Sequence, residues 1–291
     1  DPGGARGAAE QRRHHRGRRG GGRGGVSRAI VARVDFGTAR LEPDPACPTG
    51  WSVLVDGVTQ SYVDLADPTR QPVPYLRRLA AVVDAAGPRA APLRALHLGG
   101  GGLSLPRYLA ATRPGSTQQV VDRDAALLEL VTRLLPLPAD ADVRLVVGEA
   151  GATLATLPAQ GYDLVVGDVY EGARMPRSVA GVDFAAGVAR LLGPGGLYAV
   201  NVTDLPPLAF GRTQVATLRA VFGQVCVLAE PGMLRGRRYG NLVLVASGSP
   251  GGVPVDRLAS RLAARDPGGA RVLHGAEVPR FAAGARPLAA G

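Results

Sequence analysis

Apolar and polar positions divide the chain into a short alternating stretch and a longer one with a regular strand–helix rhythm. Arg28–Phe36 (RAIVARVDF) alternates as a half-buried strand does. Trp51–Val55 and Val58–Leu65 flank Asp56-Gly57, a pair suited to the positive φ of a tight hairpin turn. Asp67–Pro74 is proline-rich and reads as a linker. Tyr75–Ala86 carries apolar residues at 75, 76, 79, 82 and 83, a helical spacing, and Gly87-Pro88 stops it.

From Leu93 the rhythm changes. Strands are predicted at 93–98, 118–122, 143–147, 162–167, 196–202, 224–229 and 240–246, with helices near 104–112, 124–135, 150–157, 178–192 and 212–222. Several strands are apolar throughout, as strands covered on both faces are. Short strands separated by helices imply βαβ units and a mainly parallel sheet. The segment 230–239 joins the last two strands without a predicted helix, which implies an antiparallel pair at one edge. The fold class that follows is α/β: a Rossmann-like, doubly wound, seven-stranded, mainly parallel sheet behind a small antiparallel β-hairpin unit. The implied division is a tail at 1–27, the hairpin unit at 28–70, the Rossmann-like domain at 71–248 and a C-terminal segment at 249–291. That last segment is rich in Gly, Pro and Ala, with one weak helix near 255–264, and is expected to be loosely packed and flexible.

Composition changes the picture in one place. Of the formal net charge of +10, six charges come from residues 1–28, where eight arginines face only Asp1 and Glu10. A segment with almost no apolar residues cannot offset its own ordering entropy, so a disordered tail is expected. It has no interleaved aromatic residue for stacking on bases, so nucleic acid is not the expected partner. All 34 basic residues are arginine, which removes the lysine-bearing phosphate loop of nucleoside-triphosphate enzymes. Two cysteines make no disulfide scaffold, and the four histidines have no metal-ligand spacing with them, so no metal is expected. No apolar run reaches the roughly 18 residues of a membrane span. Without a visible signal peptide, a cytoplasmic location is the default expectation.

Four positions carry candidate chemistry. Gly99, Gly100, Gly101 and Gly102 follow the first parallel strand directly and open a helix. Glycines there let backbone approach a ligand, beside the free N–H groups of a helix start. Asp122 ends the next strand, 20 residues beyond Gly102, the separation at which an acid reaches ribose hydroxyls. Asp124, two residues on, is placed to cap the following helix. Glu149 follows the third strand and suits an exocyclic adenine amine, with a helix-start charge as the alternative. Asp168 ends the apolar strand in YDLVVGDVYEG and suits a general base at the cleft mouth, with a turn aspartate as the alternative.

Together these motifs resemble class I S-adenosylmethionine-dependent transferases and, more narrowly, the spermidine synthase (polyamine aminopropyltransferase) family. The resemblance runs from about Gly50 to Ser247. LVDGVTQSYVDL is similar to that family's N-terminal hairpin, LHLGGGG to its GGGDGG loop, VVDRD to its VEID, VVGEA to its GDA and YDLVVGDVYEG to its YDVI-x-DSTDP. LLGPGGLYAVN and RRYGNLVLVAS resemble its later strands. The likeness implies decarboxylated S-adenosylmethionine, or S-adenosylmethionine itself, as co-substrate, bound by Gly99, Gly100, Gly101, Asp122, Glu149 and Gln60. It implies Asp168 as the catalytic base and Tyr75, Tyr170 and Glu171 as substrate-binding residues. It implies transfer of an aminopropyl group to a small-molecule amine such as putrescine, and a homo-oligomer, most simply a dimer. A methyltransferase with an unidentified acceptor and a catalytically silent nucleoside-binding protein are the alternatives. Two departures stand out: Gly102 occupies the acidic position of GGGDGG, and Tyr75-Leu76-Arg77 stands where the family has Tyr-His-Glu.

Overall fold

A computed structural model describes residues 28–172 and 174–289; the predicted tail at 1–27 lies outside the described residues. The chain opens with strands β1 (Ile30–Val34), β2 (Gly37–Asp44), β3 (Cys47–Val55) and β4 (Val58–Asp64), followed by helix α1 (Pro74–Ala85). Then come β5 (Arg94–Leu98), α2 (Ser104–Thr112), β6 (Thr117–Asp122), α3 (Ala125–Leu134), β7 (Asp142–Val147), α4 (Ala150–Thr156) and β8 (Tyr162–Gly167). The remainder is α5 (Val182–Leu191), β9 (Leu192–Asp204), α6 (Ala209–Arg219), β10 (Gln224–Ala229), α7 (Pro231–Leu234), β11 (Gly240–Ser247), α8 (Val255–Arg265), β12 (Arg271–Leu273) and α9 (Glu277–Ala282).

The predicted hairpin is half of a larger unit. β1 to β4 form a four-stranded antiparallel meander in which β3 and β4 turn at Asp56-Gly57 as expected. β2 and the first half of β3 escaped the sequence reading because Pro43, Pro45 and Pro48 interrupt their alternation. The pairing bulges at Pro43/Asp44, which accommodates the interruption.

The second sheet has eight strands, not the predicted seven, in the order β12-β10-β11-β9-β8-β5-β6-β7. β9, β8, β5, β6 and β7 run parallel, and β11, β10 and β12 complete an antiparallel edge. The eighth strand and two helices belong to the C-terminal segment that was expected to be loose. α8 has an apolar stripe, with Leu258 and Leu262 buried in one core with Leu79, Val82 and Val83 of α1. Its polar face (Asp256, Arg257, Arg261) lowers the average hydropathy, and this hides the stripe in a Gly- and Pro-rich context. Polar anchors add to the packing: Arg265 bonds Asp84 at 2.5 Å, and Asp266 accepts from Arg78 at 3.1 Å.

Helices cover both faces of this sheet. One face buries Leu96, Val165, Val200 and Leu244 against α4, α5 and α6; the other buries Ala95, Leu164, Ala199 and Val243 against α1, α2 and α8. A third core joins the N-terminal sheet (Leu41, Val53, Val63) to α3 (Leu127, Leu128, Val131). Buried His97 on β5 is part of the packing: its Nε2 pairs with Gln118 Oε1 at 2.9 Å, and burial pushes its pKa down to about 4. No helix among the described residues is long and apolar enough to cross a membrane.

Candidate active site

β5 lies between β6 and β8, so the chain's direction of travel across the sheet reverses there. A reversal of this kind opens a crevice beyond the carboxyl ends of the strands. Hydrogen bonds hold those ends level: Gly99 N–H donates to Val121 O (2.8 Å), Gly148 N–H to Asp122 O (2.9 Å) and Asp168 N–H to Leu98 O (2.8 Å). The result is a cleft of about 340 Å³ whose walls include Gly99, Gly100, Gly101, Asp122, Glu149 and Asp168. Gln60, Tyr75 and Tyr170 also line it. Glu171 does not form part of its wall; its carboxylate pairs with Arg123 at 2.6 Å.

The glycine turn makes close approach possible. Gly99 has φ +94, and a Cβ there would overlap the Asp168 carbonyl oxygen. Gly101 has φ +48, again a conformation that favours glycine. The turn and Asp122 organise each other. Gly100 N–H donates to Asp122 Oδ2 at 2.7 Å, Gly101 N–H reaches the same oxygen at 3.4 Å, and Asp124 N–H donates to Asp122 Oδ1 at 2.9 Å. A carboxylate has about four acceptor positions, so Asp122 keeps capacity for a hydroxyl donor. Asp124 caps α3 as expected, accepting from Leu127 N–H at 2.8 Å. It also accepts from Asp35 and Phe36 N–H at 3.1 Å each, which pins the β1–β2 turn to the cleft.

Gly102 is enclosed. Its N–H donates to Ser61 Oγ at 2.9 Å, and a Cβ at 102 would lie 2.7 Å from Ser61 Cβ and 3.1 Å from Val53 Cγ2. The missing acid at this position is therefore matched by the packing of β3 and β4 against the loop. Arg77 is likewise turned from the cleft: it donates to Pro72 O at 2.5 Å and lies 3.5 Å from Asp266.

Asp168 is half-buried in the cleft wall. Burial raises its pKa from the ordinary 3.8 to about 6; the hydrogen bond from Asn201 and the nearby Tyr75 hydroxyl oppose the rise, and the charge of Asp122 adds to it. Asn201 Nδ2 donates to Asp168 Oδ1 at 2.9 Å, and the Tyr75 hydroxyl donates to Gln60 O at 2.9 Å. Burial, with the neighbouring Asp168 charge, holds Tyr75 far above the ordinary tyrosine range, so it is a neutral donor. Behind Asp168 a polar network crosses three strand ends. Asn241 Nδ2 donates to Asn201 Oδ1 (3.0 Å) and to Thr203 Oγ1 (3.1 Å). The Tyr170 hydroxyl donates to Asn201 O and accepts from Thr203 N–H, both at 2.9 Å.

Glu149, exposed at the start of α4, makes no capping bond of its own and lies 3.7 Å from Arg123. The Arg123 guanidinium stacks over the Phe36 ring at 4.0 Å. Sequence reasoning missed Arg123, Phe36, Asn201, Thr203, Tyr239 and Asn241, all of which line the cleft. The two asparagines left a readable signal, since each is a polar residue in an otherwise apolar strand. Arg123 and Phe36 left none, because only the docking of the two sheets brings them together. Among the described residues no cluster of His, Cys, Asp and Glu could hold a metal ion.

Comparison with known proteins gives a consistent set of likenesses. A probable spermidine synthase from Corynebacterium glutamicum has a crystal structure that matches 91% of this chain and 97% of its own, with 31% identity and a TM-score of 0.83. Spermidine synthase from Thermotoga maritima matches 82% of the chain and 84% of its own at 13% identity and a TM-score of 0.59, a likeness of fold. A polyamine aminopropyltransferase from Vibrio vulnificus (strain CMCP6) is 28% identical over 135 residues, which make up 46% of this chain and 44% of that protein. The aligned stretch thus spans less than half the length of that curated relative. No family model matches the chain.

Proposed function

The chain belongs to the spermidine synthase family, and from that membership we propose that it transfers an aminopropyl group from decarboxylated S-adenosylmethionine to a small-molecule amine. The observation that carries the proposal is the convergence of Asp122, Glu149 and Asp168 on one cleft beside the glycine turn. In this reading Gly99, Gly100 and Gly101 let backbone meet the adenosyl group, with Gln60 opposite. Asp122 takes the ribose hydroxyls with its spare acceptor capacity, and Glu149 takes the adenine amine. The acceptor lies against Tyr75 and Tyr170, with its nitrogen at Asp168.

The reaction is a displacement. The amine lone pair bonds to the methylene carbon next to the sulfonium, and the carbon–sulfur electron pair stays on sulfur as a neutral thioether. The surplus proton on nitrogen passes to Asp168. Sulfonium is already an activated leaving group, so the protein's task is to position the partners and to exclude water. Asp168 suits the proton step because a base works best with a pKa near the working pH, and burial has moved it toward that range. The neutral Tyr75 hydroxyl and the Asn201 amide fix the carboxylate's environment without competing for the proton.

Incubating the full chain with decarboxylated S-adenosylmethionine and a panel of primary amines, and following 5′-methylthioadenosine, tests the proposal. Amine-dependent release supports it. Release of S-adenosylhomocysteine from S-adenosylmethionine instead would show methyl transfer and overturn it.

A further inference from the structure

Strand order sets the two ends of the cleft apart. Asp168 follows β8; β5, β6 and β7 lie on one side of that strand, β9 and β11 on the other. Of the five carboxylates in the cleft wall, four lie toward β6 and β7. Asp122 is held by the glycine turn, Asp124 caps α3, Glu149 faces Arg123, and Asp56 accepts from Thr38 N–H at 2.9 Å beside the Phe36 turn. With the donor on that side, an acceptor whose nitrogen meets Asp168 extends its chain toward β9 and β11. There the wall is Tyr170, Asn201, Thr203, Tyr239 and Asn241, all of them neutral.

The acids nearest this end in the chain are engaged elsewhere. Glu171 pairs with Arg123 at 2.6 Å, and Glu230 pairs with Arg78 at 2.7 Å and with Arg238. Asp204 accepts from Leu205 N–H at 2.8 Å and, at the start of α6, from Gly211 N–H at 2.7 Å. The neutral groups satisfy one another: Tyr170 bonds the Asn201 carbonyl and Thr203, and the Asn241 amide bonds Asn201 and Thr203. A charged far end, ammonium or carboxylate, would exchange water for partners that carry no opposite charge, and that exchange is costly. The donor adds to the cost for an ammonium, because its sulfonium and its own ammonium already bring two positive charges to the cleft.

We propose that the acceptor is a primary monoamine with an uncharged tail, its nitrogen at Asp168 and its tail lying along the neutral wall formed by β9, β11 and Tyr170. The inference rests on the aminopropyl-transfer reading and sharpens it: the bond changes are the same, and the acceptor class is specified.

Three acceptors of equal length test it with the full chain and decarboxylated S-adenosylmethionine: pentylamine, 4-aminobutan-1-ol and butane-1,4-diamine. Both neutral-tailed amines should exceed the diamine in kcat/KM by about tenfold or more, the cost of an unpaired charge in the neutral end. Tyr239 is exposed and lines this end, so Tyr239→Glu offers the second ammonium a carboxylate and should move the ratio of diamine to pentylamine severalfold toward the diamine. A diamine that equals or outruns the neutral-tailed amines in the wild type overturns the inference and leaves the aminopropyl-transfer reading standing. So does a ratio that Tyr239→Glu leaves unmoved, since charge at this end would then not select the acceptor. Transfer to none of the three overturns that reading and the inference with it.

Discussion

Asp168, the proposed base, is set apart at the residue scale by its environment and not by its identity. The same carboxyl in water is a weak base at neutral pH; with its pKa raised to about 6 it accepts a proton more readily while still being charged at pH 7. Two opposite pH trends follow. The carboxylate form grows as pH rises through about 6, so kcat/KM should rise across that range to a plateau. The folded state holds this proton more tightly than the unfolded chain does, so the group's contribution to stability should fall as pH rises from about 4 to about 6. Asp168→Asn should lower kcat by about 10²- to 10⁴-fold, with donor affinity changed only a few-fold, and should remove the acid limb of the rate profile. A wild-type-like rate in this variant, measured by methylthioadenosine release, would exclude Asp168 as the base. Glycines at the same scale separate into two kinds. Gly99→Ala forces a side chain into the left-handed region and against the Asp168 carbonyl, and should cost about 1–3 kcal/mol in thermal unfolding. Gly151→Ala meets nothing within 4 Å and lies within α4, so it should stabilise by about 0.5–1 kcal/mol.

Elements place these residues, and strand ends were the part of the sequence that could be read. A strand that is apolar along its length and then stops at a glycine or an acid announces both its burial and its direction, which is why Gly99, Asp122, Glu149 and Asp168 were legible. Neutral polar residues inside strands, such as Asn201 and Asn241, were passed over because strand periodicity says nothing about which neighbour will lie alongside. The C-terminal segment was legible only in part for a related reason: the weak helix expected near 255–264 is α8, an amphipathic helix whose stripe makes sense only once α1 stands opposite. Arg78 shows how firmly that segment is tied in. Nearly fully buried, it donates to Asp266 at 3.1 Å, to Glu230 at 2.7 Å and to the Asn241 carbonyl at 3.0 Å, so it links α1, α8 and a strand that lines the cleft. Asp266→Ala should cost about 3 kcal/mol, the low end for breaking a buried pair because Glu230 remains. At about 2–4 °C per kcal/mol in a domain of this size, that is roughly a 10 °C fall in Tm. An unchanged Tm would show that the C-terminal segment is not integral to the fold.

At the scale of the whole molecule, two sheets share one cleft. The parallel sheet supplies the acids and the glycine turn; the N-terminal meander supplies Gln60, Ser61 and Phe36 and closes one side. The contact is reciprocal: Asp124 receives N–H groups from the β1–β2 turn, and Asp35 on that turn accepts from Ala126 at the start of α3 at 3.1 Å. This docking decides the fate of position 102. Read from sequence alone, Gly102 is the acidic position of the family loop without its acid; against Ser61 and Val53 a side chain there forces its neighbours to shift, so Gly102→Asp should destabilise the protein and fail to improve turnover. In the proposed reading, the part of the cleft assigned to the adenosyl group carries Asp122 and Glu149, while the part assigned to the acceptor is walled largely by neutral groups beside Asp168. Calorimetric titration with decarboxylated S-adenosylmethionine, S-adenosylmethionine and 5′-methylthioadenosine, in wild type and Asp122→Ala, is the most direct check on this assignment. The account expects saturable binding of the decarboxylated form and of methylthioadenosine, both weakened at least tenfold by the substitution; no binding of any of the three, or binding indifferent to Asp122, would contradict it.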